Sequence, residues 1–190
     1  MISALKAIFD FLKDIRHYLR FPNAYIAFRG VFQSFEEAMR NTPRNAAQRG
    51  STYNDAKSDE LEQLAHAYSK PIKLTDMEYP LFFWLDKITH SATQTRVCDF
   101  GGGNGRHYFA YTSHARDVNL EWSVCELAHN VKLGNALAQR LQIPNLRFYE
   151  GLDSEPLYQS NVFLSSGAIF YIKDVYESLR RFLSYGGGGG

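Results

Sequence analysis

The chain has 190 residues, of which 45% are hydrophobic and 22% charged, a composition typical of a globular protein rather than a disordered one. Basic residues number 21 and acidic residues 20, so the formal charge of +1 argues against a general nucleic-acid-binding protein. The two cysteines, Cys98 and Cys125, form no CxxC pair or Cys/His cluster. We therefore expect no metal site, and buried thiols favour a reducing, cytoplasmic location.

The first twenty residues predict an amphipathic helix, because apolar side chains recur at helical spacing with basic residues between them. The apolar positions are Ile2, Leu5, Ile8, Phe9, Leu12, Ile15 and Leu19, and the basic ones are Lys6, Lys13, Arg16 and Arg20. Such a helix either contacts an anionic membrane surface peripherally or packs on the rest of the protein. Asp10 and Asp14 dilute the basic face and favour packing. No apolar run is long enough to span a membrane.

Further helices are predicted before the first strand. Ser34 followed by Glu37 has the capping-box pattern, which predicts a short helix directly after Ser34. Two more helices are predicted, one at residues 59–68 and one at 81–90, where Pro80 suits a first helical turn and the segment is rich in Phe, Trp and Leu. We therefore expect residues 1–94 to form a helical N-terminal cap region.

From Thr95 onward, short apolar runs alternate with helical segments. Strands are predicted at 95–100, 120–126, 146–149 and 161–165, and helices at 106–114, 128–141 and 173–184. This alternation predicts βαβ units and a parallel sheet. Residues 95–185 are expected to form one α/β domain with about four strands.

Five consecutive glycines, residues 186–190, directly follow the last predicted helix. This composition is typical of a flexible tag or linker rather than of the end of a natural domain. We interpret the chain as C-terminally truncated, which would leave the fourth strand at an edge of the sheet.

A glycine-rich loop lies between the first predicted strand and the following helix. The segment from Asp99 to Tyr108 reads DFGGGNGRHY. Glycines permit positive φ and allow a ligand to approach the backbone closely. A dinucleotide fingerprint needs a third glycine where Arg106 stands, and the GK[ST] sequence of a P-loop is absent, so these two nucleotide motifs are excluded.

The pattern that remains is D-x-G-x-G-x-G, formed by Asp99, Gly101, Gly103 and Gly105. It resembles motif I of class I S-adenosylmethionine-dependent methyltransferases. Glu126 ends the second predicted strand, and ligands of parallel α/β folds sit at the carboxyl ends of the strands. The resemblance implies that Glu126 accepts the ribose hydroxyls, that Asp99 helps to hold the cofactor's amino group and that the loop N–H groups face its carboxylate.

The resemblance also implies cofactor contacts later in the chain. Leu152 would pack on the adenine ring, and Asp153 would accept a hydrogen bond from its exocyclic amine. For Asp153 a simple turn residue is an equally good interpretation. Ser166, in the turn after the fourth strand, would lie near the sulfur.

Three residues near the mouth of the loop are candidates for contact with the methyl acceptor: His107, Tyr108 and Tyr171. Methyl transfer needs a base only if the acceptor must lose a proton during the transfer. No catalytic residue is therefore assigned.

Three segments, GVFQSFEEA, FGGGNGRHYF and SSGAIFYIKD, are similar to a methyltransferase family associated with surface-polysaccharide gene clusters. The resemblance implies a Rossmann-like sheet that normally has seven strands, incomplete here, and methyl transfer to a small-molecule or glycan hydroxyl. The absence of the later strands favours a second interpretation, a non-catalytic module that binds a cofactor or a partner. A nicotinamide oxidoreductase is a third class, disfavoured by Arg106.

Overall fold

The computed structural model describes residues 2–20, 30–41, 58–115, 119–152 and 158–186. The chain divides into two compact units, Met1–Tyr53 and Asn54–Gly190. None of the described helices is both long and apolar enough to cross a membrane. The predicted division at residue 94 stays a prediction.

The first unit contains helices α1 (Ile2–Arg20) and α2 (Phe35–Asn41). At the start of α2, the Ser34 hydroxyl accepts a hydrogen bond from the backbone N–H of Glu37 at 3.1 Å. The Glu37 carboxylate accepts one in return from the N–H of Gln33 at 2.9 Å. The predicted capping interaction is therefore confirmed, with the carboxylate reaching one residue further back than in the usual motif.

The second unit contains all of the described strands. Its elements are α3 (Ser58–Tyr68), α4 (Tyr79–Ser91), β1 (Thr95–Phe100), α5 (Arg106–Thr112), β2 (Leu120–Glu126), α6 (Ala128–Arg140), β3 (Leu146–Glu150), β4 (Val162–Ser165) and α7 (Val175–Gly186), with a 3-10 turn at Ile169–Tyr171. The predicted strands and helices are confirmed with small shifts at their ends. The five glycines at residues 186–190 were predicted to form a flexible tail. The first of them, Gly186, is the last residue of α7. Residues 187–190 lie outside the described residues.

The four strands form one parallel sheet in the order β3-β2-β1-β4. This is the order in which a doubly wound, Rossmann-like fold begins, with the direction of winding reversed between β1 and β4. The predicted fold class is confirmed. Phe100, Cys125 and Ser165 lie side by side at the carboxyl ends of β1, β2 and β4, so the segments that follow these strands start from the same edge of the sheet.

The two faces of the sheet belong to different apolar clusters. Val97 of β1 lies in the larger cluster, together with side chains of α4 and α5 and with Trp122. Cys98, the next residue, lies in a smaller cluster with Phe182 of α7. The alternation of side chains along a strand accounts for this division, and burial on both faces is typical of a parallel strand.

Gly134 lets α6 approach β3 closely. It is buried within the helix, and a Cβ at this position would overlap the ring of Phe148 on β3. Phe148 is itself buried, so the ring has little room to move aside.

We expect Gly134→Ala to destabilise the protein by about 1–3 kcal/mol, the usual cost of overpacking a core. In an open helical position the same replacement would stabilise. Urea denaturation followed by circular dichroism measures the change. As a control, Gly134→Ala should cost less in a Phe148→Leu background, where the ring is absent. Wild-type or higher stability of Gly134→Ala would contradict this account of the packing.

Candidate functional site

The loop Gly101–Gly105 joins β1 to α5 at the carboxyl edge of the sheet. Gly101, Gly103 and Gly105 have φ angles of +74°, +59° and +87°, values that side-chain-bearing residues rarely adopt. A Cβ on Gly101 would also overlap the side chain of Ala168, which lies in the segment after β4. The glycines predicted to form the cofactor loop are thus required by the backbone geometry itself.

Glu126, the last residue of β2, binds this loop directly. Its Oε1 accepts a hydrogen bond from the Gly103 N–H at 3.0 Å. Its Oε2 accepts from the N–H of Leu127 at 2.8 Å and from the side-chain amide of Asn130 at 3.1 Å. A Cβ on Gly103 would meet no atom within 4 Å, so this part of the loop faces open space. The structure therefore places the glycine loop in direct contact with the end of β2, two segments that the sequence analysis joined only by resemblance.

The Asp99 carboxylate lies beneath the loop and is fully buried. His107 Nδ1 is 3.2 and 3.1 Å from its two oxygens, and Trp122 Nε1 donates to it at 3.2 Å. A Cβ on Gly102 would overlap this carboxylate, so the loop passes directly over it. These contacts of Asp99 are with protein groups, and its predicted contact with a cofactor amino group stays a prediction.

Asp99 raises the pKa of His107. Burial of the imidazole lowers the pKa of His107, but the hydrogen bond to Asp99 and the negative charge of that carboxylate outweigh burial. The more distant Glu78 adds to the increase and Arg106 opposes it. The net effect is a raised pKa, which favours a protonated His107 beside Asp99.

A second ion pair fixes the first residue of α5. Arg106 Nε lies 3.0 Å from Oε1 of Glu78, and its Nη2 lies 3.2 Å from Oε2. Thr75 donates to the same carboxylate from its backbone N–H at 2.7 Å and from its hydroxyl at 2.9 Å. Burial raises the pKa of Glu78, but these hydrogen bonds and the charge of Arg106 outweigh burial and lower it.

A tyrosine of α3 binds the tip of the loop. The Tyr68 hydroxyl donates to the Asn104 side chain at 2.7 Å. The Tyr68 ring stacks on Phe109 of α5 with ring centroids 4.3 Å apart. Sequence analysis missed both Tyr68 and Glu78, because the residues that they bind are 36 and 28 positions away. Apolar periodicity and capping patterns report only on neighbours within a few residues.

The other predicted cofactor contacts lie after β3 and β4. Leu152 is half-buried and packs against the smaller apolar cluster. Ser166 is exposed in the turn after β4. Asp153 lies outside the described residues, so its predicted adenine contact stays a prediction.

The three acceptor candidates lie in different surroundings. Tyr108 is buried, and its hydroxyl donates to Asn145 at 3.1 Å, next to the start of β3. The structure therefore does not bring the Tyr108 hydroxyl to the carboxyl edge, where the loop lies. His107 is bound to Asp99, and Tyr171 is exposed with its ring packed on Phe170 at a centroid distance of 4.6 Å.

A surface cavity of about 420 Å³ lies toward the carboxyl end of α5. Its lining includes Pro71, Thr112 and Ile143, and also Tyr68 and Tyr108. The glycine loop precedes the opposite end of this helix. Among the described residues, no group of three or more His, Cys, Asp or Glu side chains is placed to hold a metal ion.

No protein-family model and no curated protein sequence matches the chain. Among solved structures, it is similar to a Methanococcus maripaludis protein inferred to be an S-adenosyl-L-methionine-dependent methyltransferase (14% identity, 68% of this chain and 60% of that one, TM-score 0.43). It is also similar to an O-methyltransferase family protein from Burkholderia thailandensis (13% identity, 75% of this chain and 40% of that one, TM-score 0.41). A third similar structure is the SAM-bound amino pentose methyltransferase of calicheamicin biosynthesis from Micromonospora echinaspora (18% identity, 84% of this chain and 53% of that one, TM-score 0.35).

The chain spans between 40% and 60% of the length of these three proteins. Any functional assignment must therefore depend on the residues of the site itself.

The pairing of His107 with Asp99 predicts a pH-dependent contribution to stability. Because the pKa of His107 is raised in the folded protein, this contribution is complete below the unfolded-state pKa of about 6.5. It is lost as the pH rises through the folded-state pKa. We expect His107→Leu to reduce the free energy of unfolding by roughly 3 kcal/mol at pH 5.5, the cost of breaking a buried pair, and by less at pH 9.

Urea denaturation of wild type and variant at both pH values measures this difference. His90→Leu, which changes an exposed histidine of α4, is the matched control and should show a small effect at both pH values. An equal loss of stability for His107→Leu at pH 5.5 and pH 9 would contradict the assigned ion pair.

Proposed function

We propose that the chain binds S-adenosylmethionine and is a methyltransferase that acts on a small-molecule or glycan acceptor. The observation that carries this proposal is the 3.0 Å hydrogen bond from the Gly103 N–H to the Glu126 carboxylate. It joins the glycine motif after β1 to the acidic end of β2 at the carboxyl edge of the sheet, where α/β folds bind their ligands.

The chemistry of the site fits such a cofactor. Gly103 faces open space, so a ligand can lie against the backbone of the loop. Glycines with positive φ turn successive N–H groups into a concave surface that suits a carboxylate. An ionised carboxylate offers about four acceptor sites, so Glu126 can bind ribose hydroxyls as well as the loop.

S-adenosylmethionine, when bound, supplies a methyl group on a sulfonium, and the departing thioether needs no proton. The task of the chain is therefore mainly to position donor and acceptor. Ala168 lies against Gly101, so the segment after β4 starts beside the loop. This supports Ser166 as a neighbour of the cofactor's sulfur and Tyr171 as a contact of the acceptor. We assign no catalytic base.

The proposed acceptor is a small molecule or a glycan. A glycan is favoured by the resemblance of the three sequence segments to the family associated with surface polysaccharides. A reducing, cytoplasmic location is also part of the proposal, and the burial of Cys98 and Cys125 as thiols supports it.

A binding module without turnover is the second candidate. Among the described strands β4 pairs only with β1, so its outer edge has no strand beside it. If the acceptor pocket requires further strands, cofactor binding can persist without methyl transfer.

Calorimetric titration of S-adenosylhomocysteine into the full chain tests cofactor binding. We expect Glu126→Gln to weaken the affinity by about tenfold or more, because hydrogen bonds to a charged acceptor contribute about 1.5–3 kcal/mol each. Glu121→Gln is the matched control, since it changes an exposed glutamate at the other end of the same strand, and it should leave the affinity unchanged.

Two results would contradict the proposal: a folded wild-type chain that does not bind S-adenosylhomocysteine, or equal losses for Glu126→Gln and Glu121→Gln. If NADH displaced S-adenosylhomocysteine from the chain, an oxidoreductase would be favoured instead. Binding without methyl transfer to any supplied small-molecule or glycan acceptor would favour the module over the enzyme.

A further inference from the structure

Helix α1 carries apolar side chains that are exposed between Ile8 and Leu19. The large apolar side chains described in it are each at least 40% exposed: Ile8, Phe9, Phe11, Leu12, Ile15 and Leu19. Ile8, Leu12, Ile15 and Leu19 follow one another at spacings of four, three and four residues, so they share one side of the helix. Contiguous apolar surface of this kind marks a binding face, whereas scattered apolar residues do not.

The charge of α1 indicates what covers this face. The whole chain is almost balanced, with 21 basic and 20 acidic residues. Along α1 four basic residues stand against two acidic ones: Lys6, Lys13, Arg16 and Arg20 against Asp10 and Asp14. The helix is therefore a positively charged segment in a nearly neutral chain, which complements an anionic surface.

The charged positions are unevenly distributed around the helix. At roughly 100° per residue, Arg16 falls at the margin of the apolar face, about 70° from its centre, whereas Lys6, Lys13 and Asp14 lie on the far side of the helix. Asp10 falls almost opposite the apolar face. Long basic side chains at the margin of an apolar face can extend to lipid phosphates while their stems stay in the apolar layer. The acidic group would point away from such a surface.

A second copy of α1 is a poorer partner for the same face. If two apolar faces met, the Arg16 side chains would border the contact, whereas Asp10 lies on the outward side of each helix. The margin therefore lacks the opposite charge that would pair with arginine across a dimer.

We propose that α1 lies in the plane of an anionic phospholipid surface, with Ile8, Leu12, Ile15 and Leu19 inserted below the headgroups and Arg16 at the phosphates, and with the other basic residues of the helix adding long-range attraction. The sequence alone favoured packing of this helix on the rest of the protein, because Asp10 and Asp14 dilute its basic residues. The proposal takes the other interpretation, on the apolar side chains of this helix and its excess of basic residues. This proposal does not depend on the identity of the cofactor.

Co-sedimentation of the full chain with vesicles tests the proposal. We expect binding to vesicles of phosphatidylcholine with 30% phosphatidylglycerol, at least about fivefold more than to phosphatidylcholine alone, and weaker binding at high salt. Leu12→Gln/Ile15→Gln and Lys13→Gln/Arg16→Gln should each reduce the bound fraction on anionic vesicles by about fivefold or more. Trp84→Gln, which removes an exposed apolar side chain of α4, is the matched control and should bind as wild type does.

Circular dichroism and gel filtration establish that each variant remains folded and monodisperse. No binding of wild type to the anionic vesicles, or equal binding of wild type and Leu12→Gln/Ile15→Gln, would overturn the proposal. Concentration-dependent dimers that dissociate in Leu12→Gln/Ile15→Gln, without vesicle binding, would assign the face to a second copy instead.

Discussion

The Asp99 carboxylate, fully removed from water at the end of β1, imposes the main constraint on this site. A buried carboxylate is costly unless hydrogen-bond donors surround it. His107 on α5 and Trp122 on β2 supply these donors. The loop passes so close to the carboxylate at Gly102 that a Cβ would not fit there. The strand, the glycine loop, the helix and the neighbouring strand are thereby arranged around one charged group.

Three further contacts hold the loop from outside. Glu126 binds Gly103, Tyr68 binds Asn104, and Glu78 binds the arginine that begins α5. Two of these side chains come from the helical segment before the sheet. Helix α3 and the residue directly before α4 therefore take part in shaping the loop, and both helices also cover the core. A site whose backbone is fixed in advance loses less entropy on binding.

The sequence predicted the parts of the site that depend on local order. Short apolar runs revealed the strands, and the spacing of Gly101, Gly103 and Gly105 revealed the loop. Long-range contacts such as Tyr68 with Asn104 leave no periodic signal in the sequence. The direction of a helical side chain was also hard to predict, since neighbours such as His107 and Tyr108 point about 100° apart. Of these two residues, His107 points toward Asp99 beneath the loop. The Tyr108 hydroxyl instead reaches Asn145, at the amino end of β3.

The central claim is that the glycine loop and the end of β2 form a single cofactor-binding surface. The most direct test is to follow the backbone amide signals of the ¹⁵N-labelled chain by NMR during titration with S-adenosylhomocysteine. The account predicts that the largest shifts occur at Gly101, Gly103, Gly105 and Leu127. Shifts concentrated around the cavity near Thr112 and Ile143, or no shifts at all in the folded chain, would contradict it.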